Sequence, residues 1–162
     1  MRRLLLTLVA VGLFLASEAQ ANRWATSEDD NYGFSYSYPV ELFAEVEGDR
    51  PSFRYFQSPG SEAKFMVGAW DSERGETPSH FKQWMLTNAD GYEDITYQPR
   101  GRTWFVLSGH RDDQIYYEKV IFSCGGRVVN VLAISYPEAQ RGVFDEVVER
   151  MEDSFKGARR CS

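Results

Sequence analysis

The feature that most restricts the fold of this chain is a pair of long strand-forming runs, Gln114 to Ser123 and Arg127 to Tyr136. Only Cys124-Gly125-Gly126 separates them. Such a compact glycine turn predicts a hairpin, so these two strands lie antiparallel and side by side. Other runs must then build around that ribbon. Gly33 to Tyr38 alternates Phe34, Tyr36 and Tyr38 against serines, the period-two pattern of a half-buried strand, and Pro39 ends it because proline cannot donate to a sheet ladder. Leu42 to Glu47 reads as a short extended piece or turn. Ser52 to Gln57 and Ala63 to Trp70 read as strands joined through Ser58-Pro59-Gly60-Ser61, and Tyr92 to Tyr97 and Arg102 to Gly109 as two more.

Two helices are predicted. Thr77 is a good N-cap and Pro78 a good first helical residue for a helix reaching Ala89, with Phe81, Trp84, Met85 and Asn88 on one face. After Pro137 a final helix carries Val143, Val147, Met151 and Phe155, with Phe144 and Val148, as a broad apolar stripe, and Gly157 is expected to stop it. Antiparallel strands interrupted by one helix and closed by another give an α+β architecture.

The N-terminus reads as a secretory signal peptide over residues 1–21. Arg2 and Arg3 supply positive charge, Leu4 to Ala16 is an apolar run, and Ala19-Gln20-Ala21 supplies the cleavage pattern. The run is shorter than the ~20 residues a spanning helix needs, and no cysteine lies in or just after it for lipid attachment, so no stable membrane anchor is expected after cleavage. Residues 22–31 are polar and acidic and read as a flexible leader. Residues 32–162 then form a single domain. The whole chain carries a net charge of −6, which disfavours a phosphate backbone, so nucleic acid is not an expected partner.

Export also bears on the two cysteines. Cys124 and Cys161 are expected to form a disulfide, because paired cysteines in an exported chain usually bond. The competing reading is a reactive thiol, for which nothing near Cys124 in sequence supplies a base or an electropositive setting. The disulfide would clamp the last helix and the tail to the sheet.

Several short motifs resemble the PsbP and DcrB-like proteins: Gly33-Phe34-Ser35-Tyr36-Ser37-Tyr38-Pro39, Tyr116-Tyr117, Tyr136-Pro137-Glu138 and the closing Asp153-Ser154-Phe155. The Cys-Gly-Gly turn is similar to that of small exported proteobacterial proteins. The resemblance spans most of residues 22–162 and implies an α/β/α sandwich around a mostly antiparallel sheet. It implies little about activity, because that fold serves a photosystem extrinsic subunit, a Ran-binding protein and bacterial envelope proteins. The chain departs from DcrB-like relatives in lacking the lipid-attachment cysteine.

Candidate chemistry is sparse. His110, Asp112 and Asp113 fall between two predicted strands and offer a divalent-metal set, read against a plain solvated turn. His80 stands in the first turn of the first predicted helix. Asp71, Glu73 and Glu76 precede that helix and offer oxygen ligands for calcium, read against acids favoured by the helix dipole. Tyr36, Trp84, Trp104 and Tyr117, among other aromatics, are candidates for a ligand groove, read against core filling. No nucleophile elbow or phosphate-binding glycine loop occurs in the sequence, and no cofactor is expected. These residues favour an exported, non-enzymatic envelope protein that binds a partner protein or supports an assembly. The alternatives are a small-ligand or metal-binding module, and a hydrolase whose residues converge only in three dimensions.

Overall fold

A computed structural model describes residues 23–72, 76–89, 92 and 94–161, so the expected signal peptide lies outside the described residues. The strands are β1 (Trp24–Glu28), β2 (Ser35–Pro39), β3 (Ala44–Val46), β4 (Phe53–Gln57), β5 (Lys64–Asp71), β6 (Asp94–Tyr97), β7 (Trp104–Arg111), β8 (Gln114–Ser123) and β9 (Val128–Pro137). The helices are α1 (Pro78–Asn88) and α2 (Arg141–Ser154). Seven strands form an antiparallel sheet in the order β3-β4-β5-β9-β8-β7-β6. β1 and β2 form a separate antiparallel hairpin.

The long hairpin forms as the sequence predicts. β8 and β9 pair from Ser123–Val128 down to Gln114–Pro137. The turn between them uses three successive left-handed residues, Cys124 (φ 56°), Gly125 (φ 69°) and Gly126 (φ 88°), a conformation that glycine adopts without steric cost. β9 is central, and its near-continuous apolar run fits burial on both sides: Val128, Leu132, Ile134 and Tyr136 enter one core, Val129 and Val131 the other.

The first core lies between the sheet and a layer made of α2 and the β1–β2 hairpin. Phe34, Tyr36, Phe43, Phe56, Phe65, Phe144, Met151 and Phe155 are its large buried members. Phe56 and Phe65 stack with ring centroids 4.2 Å apart, and Phe43 meets Phe65 edge-on at 4.9 Å. The second core lies under α1 and holds Met85, Phe105, Leu107, Val120 and Phe122. The result is an α/β/α sandwich around an antiparallel sheet, as expected.

The structure departs from the sequence reading in four places. The expected flexible leader contains β1, which survives as a polar strand because it pairs locally with β2 on the outside of the domain. β7 runs on through His110 and Arg111, so the turn before β8 is shorter than expected. α2 stops at Ser154 with Phe155 already extended, so Gly157 is not its stop. Gly157 instead permits close packing: a Cβ there would lie 2.3 Å from the Ser123 hydroxyl oxygen. Val143, placed on the apolar stripe by spacing, is 53% exposed.

The tail after α2 fastens the layers. Cys124 and Cys161 are disulfide-bonded with their Cα atoms 5.5 Å apart. Lys156 exchanges backbone hydrogen bonds with Ser35, and the amides of Arg159 and Arg160 donate to the Tyr32 carbonyl at 3.0 Å. The Asn130 side chain, fully buried in β9, accepts from the Ala158 amide at 2.9 Å and donates to the Ile121 carbonyl and the Ser123 hydroxyl. A buried amide kept in an apolar strand is stable only when satisfied in this way.

Candidate functional site

Strand register determines where the sheet stays open. On the α1 side, Phe53, Gly68, Val131, Val120 and Phe105 form one cross-strand row beneath the helix. The next row runs Val46, Tyr55, Met66, Ala133, Glu118 and Leu107, from the β3 edge inward. Beyond it lies Gln57, Lys64, Ser135 and Tyr116. Apart from the fully buried Leu107, these two rows line a groove of about 480 Å³ that also touches Tyr92 and Arg111. The small Ala133 between Met66 and Glu118 helps to leave the space.

The groove walls are held in place. Tyr55 lies against the backbone at Gly48, where a Cβ would sit 1.8 Å from its ring, and its hydroxyl donates to Asp49 at 2.7 Å. Tyr92 meets Tyr116 edge-on with centroids 5.6 Å apart. The Arg111 guanidinium stands over the Tyr116 ring at 5.5 Å.

At the inner end stands Glu118, whose carboxylate accepts a hydrogen bond from the Tyr92 phenol. Burial raises the Glu118 carboxyl above its ordinary value, while the Tyr92 hydrogen bond and the Arg111 charge oppose that shift. Tyr92 is raised as well, first by burial and then by the Glu118 charge. Among the described residues Glu118 has no salt-bridge partner. The next residue of β8 faces the other side: Lys119 pairs with Glu152 of α2 and lies over the Trp104 ring at 5.6 Å.

The residues singled out from sequence do not gather here. Tyr36 is buried in the first core, where it packs near Phe34, Tyr38, Phe56 and Phe65. Trp84 is 52% exposed on α1 and stacks on Phe81. Trp104 is on the α2 side of the sheet, so the sheet separates it from Trp84. Tyr117 alone of the four borders the groove. The four aromatics therefore do not line one surface.

His110 has the carboxylates of Asp94 and Glu138 at 3.8 and 3.5 Å from its two ring nitrogens, whereas Asp112 sits at the left-handed turn position (φ 54°). The Asp113 carbonyl accepts from the Glu138 amide at 2.8 Å. Among the described residues no three His, Cys, Asp or Glu side chains are placed to hold a metal ion, so the structure does not gather His110, Asp112 and Asp113 into a metal set. His80 bonds Glu76 at 2.6 Å, and Asp71 accepts from Tyr32 at 3.2 Å; Glu73 lies outside the described residues.

Glu118, Tyr92, Tyr55 and Met66 were missed as site residues. The available signal was Glu118 itself. In β8 the residues Tyr116, Val120 and Phe122 enter the second core, and an acid interrupts that inward series.

Solved structures share this layout. The solution structure of cyanobacterial PsbP (CyanoP) from Synechocystis is similar, with a TM-score of 0.61 at 12% identity over 93% of this chain and 98% of that one. The chain has the PsbP-like fold. The Saccharomyces cerevisiae Ran-binding protein Mog1p is also similar, with a TM-score of 0.58 at 11% identity over 85% of this chain and 96% of that one. A point mutant of Mog1 gives 0.52 at 13% identity, covering 83% and 96%. The sequence matches no protein-family model and no curated protein. At these identities the likeness is one of PsbP-like architecture, not of function.

Proposed function

We propose that this chain is an exported envelope protein that binds a partner protein or supports an assembly, using the α1-side groove. The groove is the observation that carries this reading. It is a largely apolar row of side chains that runs from a sheet edge to the half-buried Glu118 carboxylate and that α1 leaves uncovered. The Cys124–Cys161 disulfide and the signal-peptide pattern of residues 1–21 support an oxidising, extracytoplasmic setting such as the periplasm. Mog1p, of similar fold, is a Ran-binding protein, which supports a protein partner as the class of ligand.

The test is photo-crosslinking in the native envelope. A crosslinking amino acid at Val46, at the groove's outer end, is compared with one at Val143 on the outside of α2; both positions are exposed. One discrete adduct from Val46 and none from Val143 is expected. Identical adducts from both positions, or none from Val46, would overturn the reading.

A further inference from the structure

We infer that the groove receives a basic side chain, lysine or arginine, from an extended segment of the partner, its aliphatic stem on Tyr55, Met66 and Ala133 and its cation at Glu118. This inference rests on the partner-binding reading above and specifies its chemistry.

Glu118 is half-buried at the inner end of the groove with the Arg111 charge near it, and a carboxylate so placed gains from a further partner for its charge. Glu118 has one neutral donor, the Tyr92 phenol on Oε2, and among the described residues no salt bridge. Both oxygens of a carboxylate accept hydrogen bonds, so a second donor can be taken from the groove side. The surroundings suit a cation. The rings of Tyr92 and Tyr116 flank the carboxylate's end of the groove, and Arg111 already shows a guanidinium resting over Tyr116.

Charge along the groove points the same way. An adjoining cleft shares Gln57, Lys64, Arg111, Tyr116 and Ser135 with it and adds Glu62 and Asp113. With Glu47 and Glu118, the described residues of the lining include four acids against two bases, and the whole chain is acidic. The apolar row between the β3 edge and Glu118 matches a long aliphatic stem, since basic side chains bury their methylenes and place the charge at the tip. An extended segment is the form that crosses a strand edge while sending one side chain inward.

The experiment uses two neutral-capped probes on the full exported chain: N-acetyl-lysine methylamide and N-acetyl-norleucine methylamide. They differ by an ammonium group. Binding is read from backbone amide shifts in NMR spectra. The lysine probe is expected to shift the amides of Met66, Glu118 and Ala133, and to bind about tenfold or more tightly than the norleucine probe, the ratio set by one charge-assisted hydrogen bond. Glu118→Gln is expected to reduce lysine-probe affinity to the norleucine level and to leave the norleucine probe unchanged. Equal binding of the two probes, absence of lysine-probe shifts in the groove, or indifference to Glu118→Gln would overturn the inference. The wild-type comparison of the probes decides the matter even if the variant does not fold.

Crosslinking separates this inference from the reading beneath it. An adduct from Val46 that persists undiminished with Glu118→Gln keeps the partner and removes the basic side chain. Loss of the Val46 adduct in the wild type removes the partner itself.

Discussion

The two faces of the main sheet are built from alternate residues of the same strands, yet they are finished differently. On one face α2, the β1–β2 hairpin and the disulfide-held tail cover a buried aromatic core. On the other, α1 covers the rows around Phe105 and Val120 and leaves Met66, Ala133 and Glu118 accessible. The adjacent residues Phe65 and Met66 show the contrast: the first is 3% exposed between Phe56 and Phe43, while the second is only half-buried, on the groove side of the sheet. Both faces carry a buried core, and the proposed binding surface is where closure of the second one stops.

Substitutions on the two faces should have unequal effects. Phe65→Ala is expected to cost about 3–5 kcal/mol by denaturant unfolding, because it empties a stacked aromatic site. Met66→Ala, one residue along, should cost no more than about 1 kcal/mol. Equal losses would mean that the groove side is as tightly packed as the core.

The double substitution Cys124→Ser with Cys161→Ser opens a cross-link spanning 37 positions. It is expected to cost about 3–4 kcal/mol on the chain-entropy account. Hydrogen exchange should speed up first at Ser35 and at Arg159 and Arg160, whose amides are tied through the tail. Faster exchange centred on Met66 and Glu118 would show that the disulfide braces the groove instead.

The smallest expected effect concerns Glu118 and sharpens the contrast by pH. Its folded-state carboxyl is raised above the ordinary 4.5, so over the window just above that value the folded chain holds more protons than the unfolded one. Stability contributed by this group is therefore present at low pH and falls as pH rises through that window. Glu118→Gln should remove that decline, measured as the difference between wild-type and variant unfolding midpoints across pH. A difference independent of pH would mean that Glu118 is not shielded from water.

Much of the architecture was legible locally. The β8–β9 hairpin followed from two strand runs around a glycine turn, and α1 from Thr77 and Pro78: Thr77 accepts from the His80 amide at 3.3 Å as an N-cap. β1 was not legible, because Trp24–Glu28 is too polar to show a buried pattern and depends on its partner strand. The role of Gly157 was hidden for a related reason: a glycine after a helix reads as a stop unless its tertiary neighbour, here Ser123, is known.

Candidate site residues were the least legible. Tyr36, Trp84 and Trp104 are aromatics of the same chemical kind, but burial, helix exposure and sheet face send them to separate places. Cross-strand position, which sequence spacing does not encode, brings Val46, Tyr55, Met66, Ala133 and Glu118 into one row.

The sequence by itself determined the α+β class, the central hairpin and the helix start at Thr77, because each rests on short-range periodicity, turn chemistry or capping. The pairing of Cys124 with Cys161 was foreseen from the expected compartment and is present in the structure. Only the tertiary structure decided that one sheet face closes and the other keeps a groove ending at Glu118. That outcome depends on strand order and register and on how far α1 reaches, and these are long-range packing choices that no local run of residues specifies.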